Sequence, residues 1–104
     1  MKVSQHFEGI HGEWIEFQST KNLGMENIEH WKQDSLFLRH TPDLPYGIFD
    51  EFLRDGWWLG FNQLDHIRAT KLANKLLGNK DIEKLAHWIL AYSKDDTYLN
   101  ILGI

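Results

Sequence analysis

The chain has 104 residues, of which 42% are hydrophobic and 25% charged, and it contains no cysteine. These values are ordinary for one globular domain, and they exclude disulfides, thiolate nucleophiles and metal sites that depend on cysteine. The formal net charge is −4, and no apolar run approaches the ~18 residues that a membrane span needs. The opening MKVSQHFEGI lacks the apolar stretch of a secretory signal, so we expect a cytoplasmic protein with no membrane partner.

The acidic residues are concentrated in the first part of the chain. Residues 1–62 carry ten acidic against five basic side chains, a balance of −5, whereas residues 63–104 carry five against six, a balance of +1. Because binding to phosphates needs a cationic surface, this asymmetry argues against direct contact with nucleic acid and favours a basic protein partner. An acidic face that only aids solubility is the alternative.

The first part of the chain has three short patterned segments. Residues 2–18 predict a β-hairpin, because two glycines bracket a turn between runs of strand-forming residues. In MENIEHWKQ (25–33), apolar residues recur at a spacing of three, which is compatible with two helical turns or with a third strand. SLFLRH (35–40) predicts a strand, which the prolines of TPDLP (41–45) end.

The stretch YGIFDEFLRDGWWLGF has two interpretations. In the first, residues 46–55 form a helix with an apolar stripe, and Gly56 follows its end in the left-handed region. In the second, Asp55 and Gly56 form a type I′ turn between strands at 48–54 and 57–61. Strand alternation does not explain the spacing of the apolar residues, so the pattern favours a helix followed by a strand over WWLGF.

Two consecutive helices are predicted in the last part of the chain. Asn62 can cap the first, whose apolar positions recur until Gly78. Asn79 can cap the second, which runs to about Ser93, and the tail TYLNILGI can dock as an edge strand or a final turn. The whole chain, 1–104, therefore predicts a single α+β domain: a small antiparallel sheet of roughly three to five strands with a C-terminal two-helix unit packed on one face.

Motifs for catalysis and for metal or cofactor binding are not found. The best local set of metal ligands is His6 and His11, beside Glu8 or Glu13, but histidines that face each other on a polar hairpin are usually only solvated. No nucleophile elbow or phosphate loop occurs, and the serines and threonines lack a definable histidine and acid context. We therefore expect no enzyme activity, no catalytic residue, no metal and no cofactor.

Aromatic and acidic residues are mixed in the middle of the chain, where six of the fourteen aromatic residues lie between Tyr46 and Phe61. Tryptophan and tyrosine are over-represented among residues that dominate interface energies, and neighbouring carboxylates can meet arginine or lysine on a partner. If WWLGF is a strand, one tryptophan anchors in the core and the other faces outward. The candidate partner-binding residues are Asp43, Tyr46, Asp50, Glu51, Asp55, Trp57 and Trp58.

In size, acidity, lack of cysteine and aromatic content, the chain resembles bacterial immunity proteins. That resemblance implies an inhibitor that neutralises a basic partner, such as a nuclease toxin, by placing carboxylates in its cationic groove. Alternatives come from other classes. A self-associating structural or accessory subunit would use a patch of Trp88, Tyr92 and the tail, a small enzyme would use the histidines, and a DNA-binding regulator would use the two C-terminal helices.

Overall fold

The protein folds as an antiparallel sheet with helices packed on it, in a computed structural model that describes residues 3–4, 14–21, 23–24, 32–54 and 56–103. The five strands found in these ranges are β1 (Val3–Ser4), β2 (Trp14–Thr20), β3 (Leu36–Arg39), β4 (Phe61–Asp65) and β5 (Tyr98–Gly103). Their order across the sheet is β1-β3-β2-β5-β4, and every neighbouring pair is antiparallel. The predicted α+β class is confirmed.

The helices of the described residues are α1 (Tyr46–Asp50), α2 (His66–Leu76) and α3 (Glu83–Tyr92), with 3₁₀ turns at Trp57–Leu59 and Lys80–Ile82. None of them is long and apolar enough to cross a membrane. Asn79, predicted to cap the second helix, caps the 3₁₀ turn before it by accepting the backbone N–H of Asp81 at 3.0 Å, and α3 itself begins at Glu83 without a side-chain cap. The predicted cap at Asn62 is wrong: α2 begins only after Asp65, whose side chain accepts the backbone N–H of Arg68 at 2.8 Å.

The hydrophobic core lies between α2, α3 and one face of the sheet. Alternate residues of β2 and β5 point into it, and four of them are at most 5% exposed: Ile15, Phe17, Leu99 and Ile101. The helices contribute buried residues at helical spacing, among them Leu72, Leu76, Leu85 and Ile89. Burial of each such side chain stabilises the fold by about 1.5–3 kcal/mol, so this layer holds the helices on the sheet.

A row of buried and half-buried polar side chains crosses the other face of the sheet. The register of the strands aligns Gln18, Asn100 and Gln63, and Gln63 donates to Asn100 at 2.8 Å. Gln18 also donates to Glu16, whose carboxylate is fully buried and accepts the Ser35 hydroxyl at 2.6 Å. Because buried polar groups are costly without partners, these hydrogen bonds favour one strand register over its neighbours.

The pairing of both chain ends differs from the prediction. Val3–Ser4 pairs with β3 and not with β2, because β3 lies between them; the turn of the predicted hairpin lies outside the described residues. Of the segment 25–33, predicted as a helix or a third strand, residues 25–31 lie outside them too. The tail is a strand, but it is central between β2 and β4, because residues 99–102 are buried on both faces of the sheet.

The end of the central strand approaches the first 3₁₀ turn so closely that it requires glycine. A Cβ atom on Gly103 would lie 2.2 Å from the carbonyl oxygen of Trp58, whereas one on Gly47 of α1 would meet nothing within 4 Å. We expect Gly103→Ala to lower the free energy of unfolding by about 1–3 kcal/mol, because backbone must shift to admit the methyl group. Gly47→Ala is the control and should leave stability unchanged or raise it by up to about 1 kcal/mol. Denaturant unfolding measures both, and equal stability of the two variants would contradict the close approach.

Candidate aromatic and acidic interface

The two adjacent tryptophans lie in a 3₁₀ turn, not in the predicted strand. Gly56 precedes the turn with φ of 69°, in the left-handed region as predicted, and the strand β4 starts only at Phe61. Successive side chains of a 3₁₀ helix point about 120° apart. Trp57 is therefore 1% exposed in the core, Trp58 is half-buried, and Leu59 is 76% exposed. The expectation of one inward and one outward ring holds, although strand alternation is not its cause.

Trp58 belongs to a cluster of rings at the protein surface, here called the aromatic cluster: His40, Tyr46 and Trp58. The imidazole of His40 stacks on Trp58 at a centroid distance of 5.6 Å and an interplanar angle of 17°. Tyr46 meets Trp58 edge to face at 5.4 Å. All three side chains are half-buried, so each ring supports the others while part of it remains accessible.

Trp57 connects the aromatic cluster to the core. Its ring stacks on Phe49 of α1 at 4.5 Å, and it meets Trp58 edge to face at 5.7 Å. The indole N–H of Trp57 is buried and has no hydrogen-bond partner among the residues that the structure describes. Packing therefore holds this ring, and it does not face solvent as an interface residue would.

An acidic group lies beside the aromatic cluster. Asp43 is exposed, and the hydroxyl of Thr41 donates a hydrogen bond to its carboxylate, which lowers the pKa of Asp43. The phenol of Tyr46 donates to the carbonyl of Thr41 at 3.1 Å. Burial and the negative charge of Asp43 both raise the pKa of Tyr46 above its ordinary 10.0. Asp43 therefore stays ionised near a neutral phenol at physiological pH.

The other predicted acidic residues do not all lie beside the aromatic cluster. Asp50 is exposed on α1 one turn after Tyr46, so it follows the same side of that helix. Glu51 accepts a hydrogen bond from Lys75 of α2 in an exposed ion pair. Asp55 lies outside the described residues. The structure thus brings together Asp43, Tyr46 and Trp58, with Asp50 nearby, whereas Glu51 is engaged with α2.

Two members of this surface were not among the predicted site residues. His40 follows directly after β3 and reaches Trp58 only through the fold, so no local pattern indicates the contact. Leu59 was part of a predicted strand, and a strand gives no reason for this leucine to project into solvent. In the structure it ends the 3₁₀ turn that lies between Gly56 and Gly60. A 3₁₀ assignment for residues 57–59 would have indicated its exposure.

A histidine also connects the start of α2 to the residues after α3. The ring of His66 lies with Nδ1 at 2.8 Å from the hydroxyl of Ser93 and Nε2 at 3.4 Å from the carboxylate of Asp95. The sequence did not indicate this serine, histidine and aspartate together. The Asp95 side chain is 100% exposed, so its charge is fully solvated and the contact is a surface link between helix ends.

The residues proposed for self-association and for a metal or histidine-based site lie outside the aromatic cluster. Trp88 is buried, and its indole donates to the carbonyl of Asp34 at 3.1 Å, so among the described residues of the suggested self-association patch only Tyr92 is exposed. No group of three or more histidine, aspartate and glutamate side chains that could hold a metal occurs in the described part of the chain. His6 and His11 lie outside it.

The chain matches no protein-family model, no curated protein and no solved structure. Its function therefore has to be inferred from its own geometry.

The raised pKa of Tyr46 gives a test of the cluster. We expect Tyr46 to ionise above the ordinary phenol pKa of 10.0. The phenolate absorbance measures this ionisation, and comparison with Tyr46→Phe identifies the contribution of Tyr46. The fold favours the neutral phenol, so its contribution to stability is complete below pH 10.0 and is lost as the pH rises through the raised pKa.

Asp43→Asn should lower the pKa of Tyr46 but leave it above the ordinary value, because burial is the larger cause and remains. Asp81→Asn removes an exposed acid from another element and should leave the titration of Tyr46 unchanged. A Tyr46 that titrates at the ordinary value in the wild-type protein would contradict the described packing.

Proposed function

We propose that the protein is a small acidic binding module that docks on a basic protein, most concretely an immunity-type inhibitor that covers the cationic groove of a nuclease toxin. The observation that carries the proposal is the position of Trp58. Its half-buried ring is supported by His40 and Tyr46, and the charge of Asp43 acts on the same tyrosine. A large ring, a phenol and a carboxylate together form the type of surface that meets arginine or lysine.

The support around Trp58 is favourable for binding. A side chain that packing already holds loses little conformational freedom when a partner covers it, so more of the contact energy appears as affinity. Leu59, 76% exposed, extends the apolar area beside Trp58. Trp58 and Tyr46 would fill pockets on the partner, and the surrounding acids would exclude water around them.

Charge would select the partner and speed the encounter. The net charge is −4, and Asp43 and Asp50 are exposed near the aromatic cluster. Long-range attraction between an acidic module and a basic protein raises the association rate, and salt screens that attraction. In the bound state the carboxylates would take the place of nucleic-acid phosphates in the groove, so inhibition would be steric and electrostatic.

This mode of action defines what the protein does and does not require. An inhibitor of this type needs no catalytic residue, metal or cofactor, and it touches the toxin and not the nucleic acid. It would act in the bacterial cytoplasm, where a nuclease toxin meets its substrate. A gene for a basic, toxin-like domain beside the gene for this chain would identify the partner to be tested.

The contribution of Trp58 can be measured once the neighbouring basic protein, or a protein captured on the immobilised chain, is purified. We expect Trp58→Ala to weaken binding by roughly 30-fold, as loss of a central aromatic anchor does. Tyr92→Ala removes an exposed aromatic side chain from α3 and is the matched control, with no change expected. Equal effects of the two substitutions on the dissociation constant, from calorimetry, would place the interface elsewhere.

The contribution of charge is visible in kinetics. We expect Asp43→Asn to slow association and to reduce its salt dependence, with a smaller effect on dissociation. Asp81→Asn, an equal loss of charge on another element, should change association less.

If light scattering instead shows a homodimer that Trp58→Ala dissociates, the surface serves a second copy of the chain and the inhibitor proposal is wrong.

A further inference from the structure

A cleft of about 470 Å³ lies between the turn after α1, the strand β4 and the first turn of α2. Its volume is within the range of small-molecule sites, which are about 300–1,000 Å³. Apolar side chains form part of its wall: Phe52, Leu53, Phe61 and Leu64. Arg54 and Arg68 bring two guanidinium groups to the same cleft.

Both guanidinium groups are held in place across the cleft. Arg68 of α2 donates to the carbonyl of Phe52 at 2.8 Å, and Arg54 donates to the carbonyl of Phe61. Each of these hydrogen bonds uses one terminal nitrogen of the guanidinium group. Since a guanidinium carries five N–H donors in a rigid fork, donors remain on each arginine for a ligand. The arginines therefore fasten the walls together and still offer oriented positive charge.

The charge of the cleft is opposite to that of the protein as a whole. Among the described residues that line it, Glu51 is the acidic one, and Lys75 from outside the cleft pairs with its carboxylate. Two arginines thus face a cleft whose own acid is neutralised, on a chain of net charge −4. A carboxylate or phosphate group matches the planar fork of arginine through paired charge-assisted hydrogen bonds.

We propose that this cleft binds a small organic oxyanion, in which a carboxylate or phosphate meets Arg54 and Arg68 and an apolar body lies against Phe52 and Phe61. The apolar walls and the volume exceed what a lone inorganic ion uses. Asn62 has both amide atoms engaged, accepting from the backbone N–H of Arg54 at 3.4 Å and donating to Trp57 at 3.2 Å. It therefore holds the wall of the site and leaves the arginines as ligand contacts. This site is independent of the proposed inhibitor function.

Four probes separate the components of the proposal: phenyl phosphate, benzoate, inorganic phosphate and benzyl alcohol. NMR titration of the whole chain follows the backbone amide of Phe52 and the side-chain Nε–H of Arg54 and Arg68. We expect saturable shifts with phenyl phosphate or benzoate, and binding at least about tenfold weaker with the other two probes, because each lacks one half of the ligand. The aromatic anion that binds more tightly shows whether the cleft prefers a phosphate or a carboxylate group.

Any of three results would overturn the proposal: no saturation with either aromatic anion, benzyl alcohol binding equally well, or inorganic phosphate binding as tightly as phenyl phosphate. Arg68→Lys and Arg54→Lys keep the charge but lose the planar fork, and each should weaken binding by about tenfold. Lys84→Gln removes an exposed charge from α3 and is the control, with unchanged affinity expected. Circular dichroism confirms that each variant is folded, and a folded lysine variant with wild-type affinity would also overturn the proposal.

Discussion

The contact between a short turn and the end of the central strand determines what this protein presents to solvent. The backbone of Gly103 lies directly against the carbonyl of Trp58, and its N–H donates to the carbonyl of Gly60 at 2.9 Å. These contacts position the 3₁₀ turn Trp57–Leu59 on β5, which itself is held between β2 and β4. With the turn in this position, successive side chains point about 120° apart, so that Trp57 lies in the core and Trp58 lies at the surface. The aromatic cluster is therefore an outward extension of the core.

Residues near the turn belong to two surfaces of opposite character. In the first, Trp58 is next to Tyr46 and the ionised Asp43, and we propose this surface for a basic partner. In the second, Arg54 and Arg68 line a cleft that suits an oxyanion. Asn62, largely buried, bonds to both the turn and the cleft wall, through Trp57 and Arg54 respectively. An acidic protein can in this way carry a cationic site, because Glu51, the acid among the described residues that line the cleft, is paired with Lys75.

Local patterns predicted the positions of the helices better than the strand pairing. The apolar stripe around Phe49 predicted a helix over residues 46–55, but α1 ends at Asp50. Asn79 and Ser93 bracket the second 3₁₀ turn and α3, near the expected bounds, because helix signals lie within a few residues of each other. Asn62 has the chemistry of a cap, but pairing with β5 extends β4 to Asp65 and moves the helix start. The hydrogen bond between Asn100 and Gln18 joins residues 82 positions apart, a relation that no local window contains. For the candidate site, composition selected Asp43, Tyr46 and Trp58, whereas the contribution of His40 depends on where β3 ends in space.

We propose that a partner covers the ring of Trp58 and not that of Trp57. Solvent paramagnetic relaxation of the two indole N–H signals tests it most directly, measured with a neutral paramagnetic probe on the free protein and on its complex. We expect strong relaxation of Trp58 in the free protein and its loss in the complex. Trp57 should show little relaxation in either state, since it is 1% exposed. Relaxation of Trp58 that is unchanged by the partner, or strong relaxation of Trp57, would contradict it.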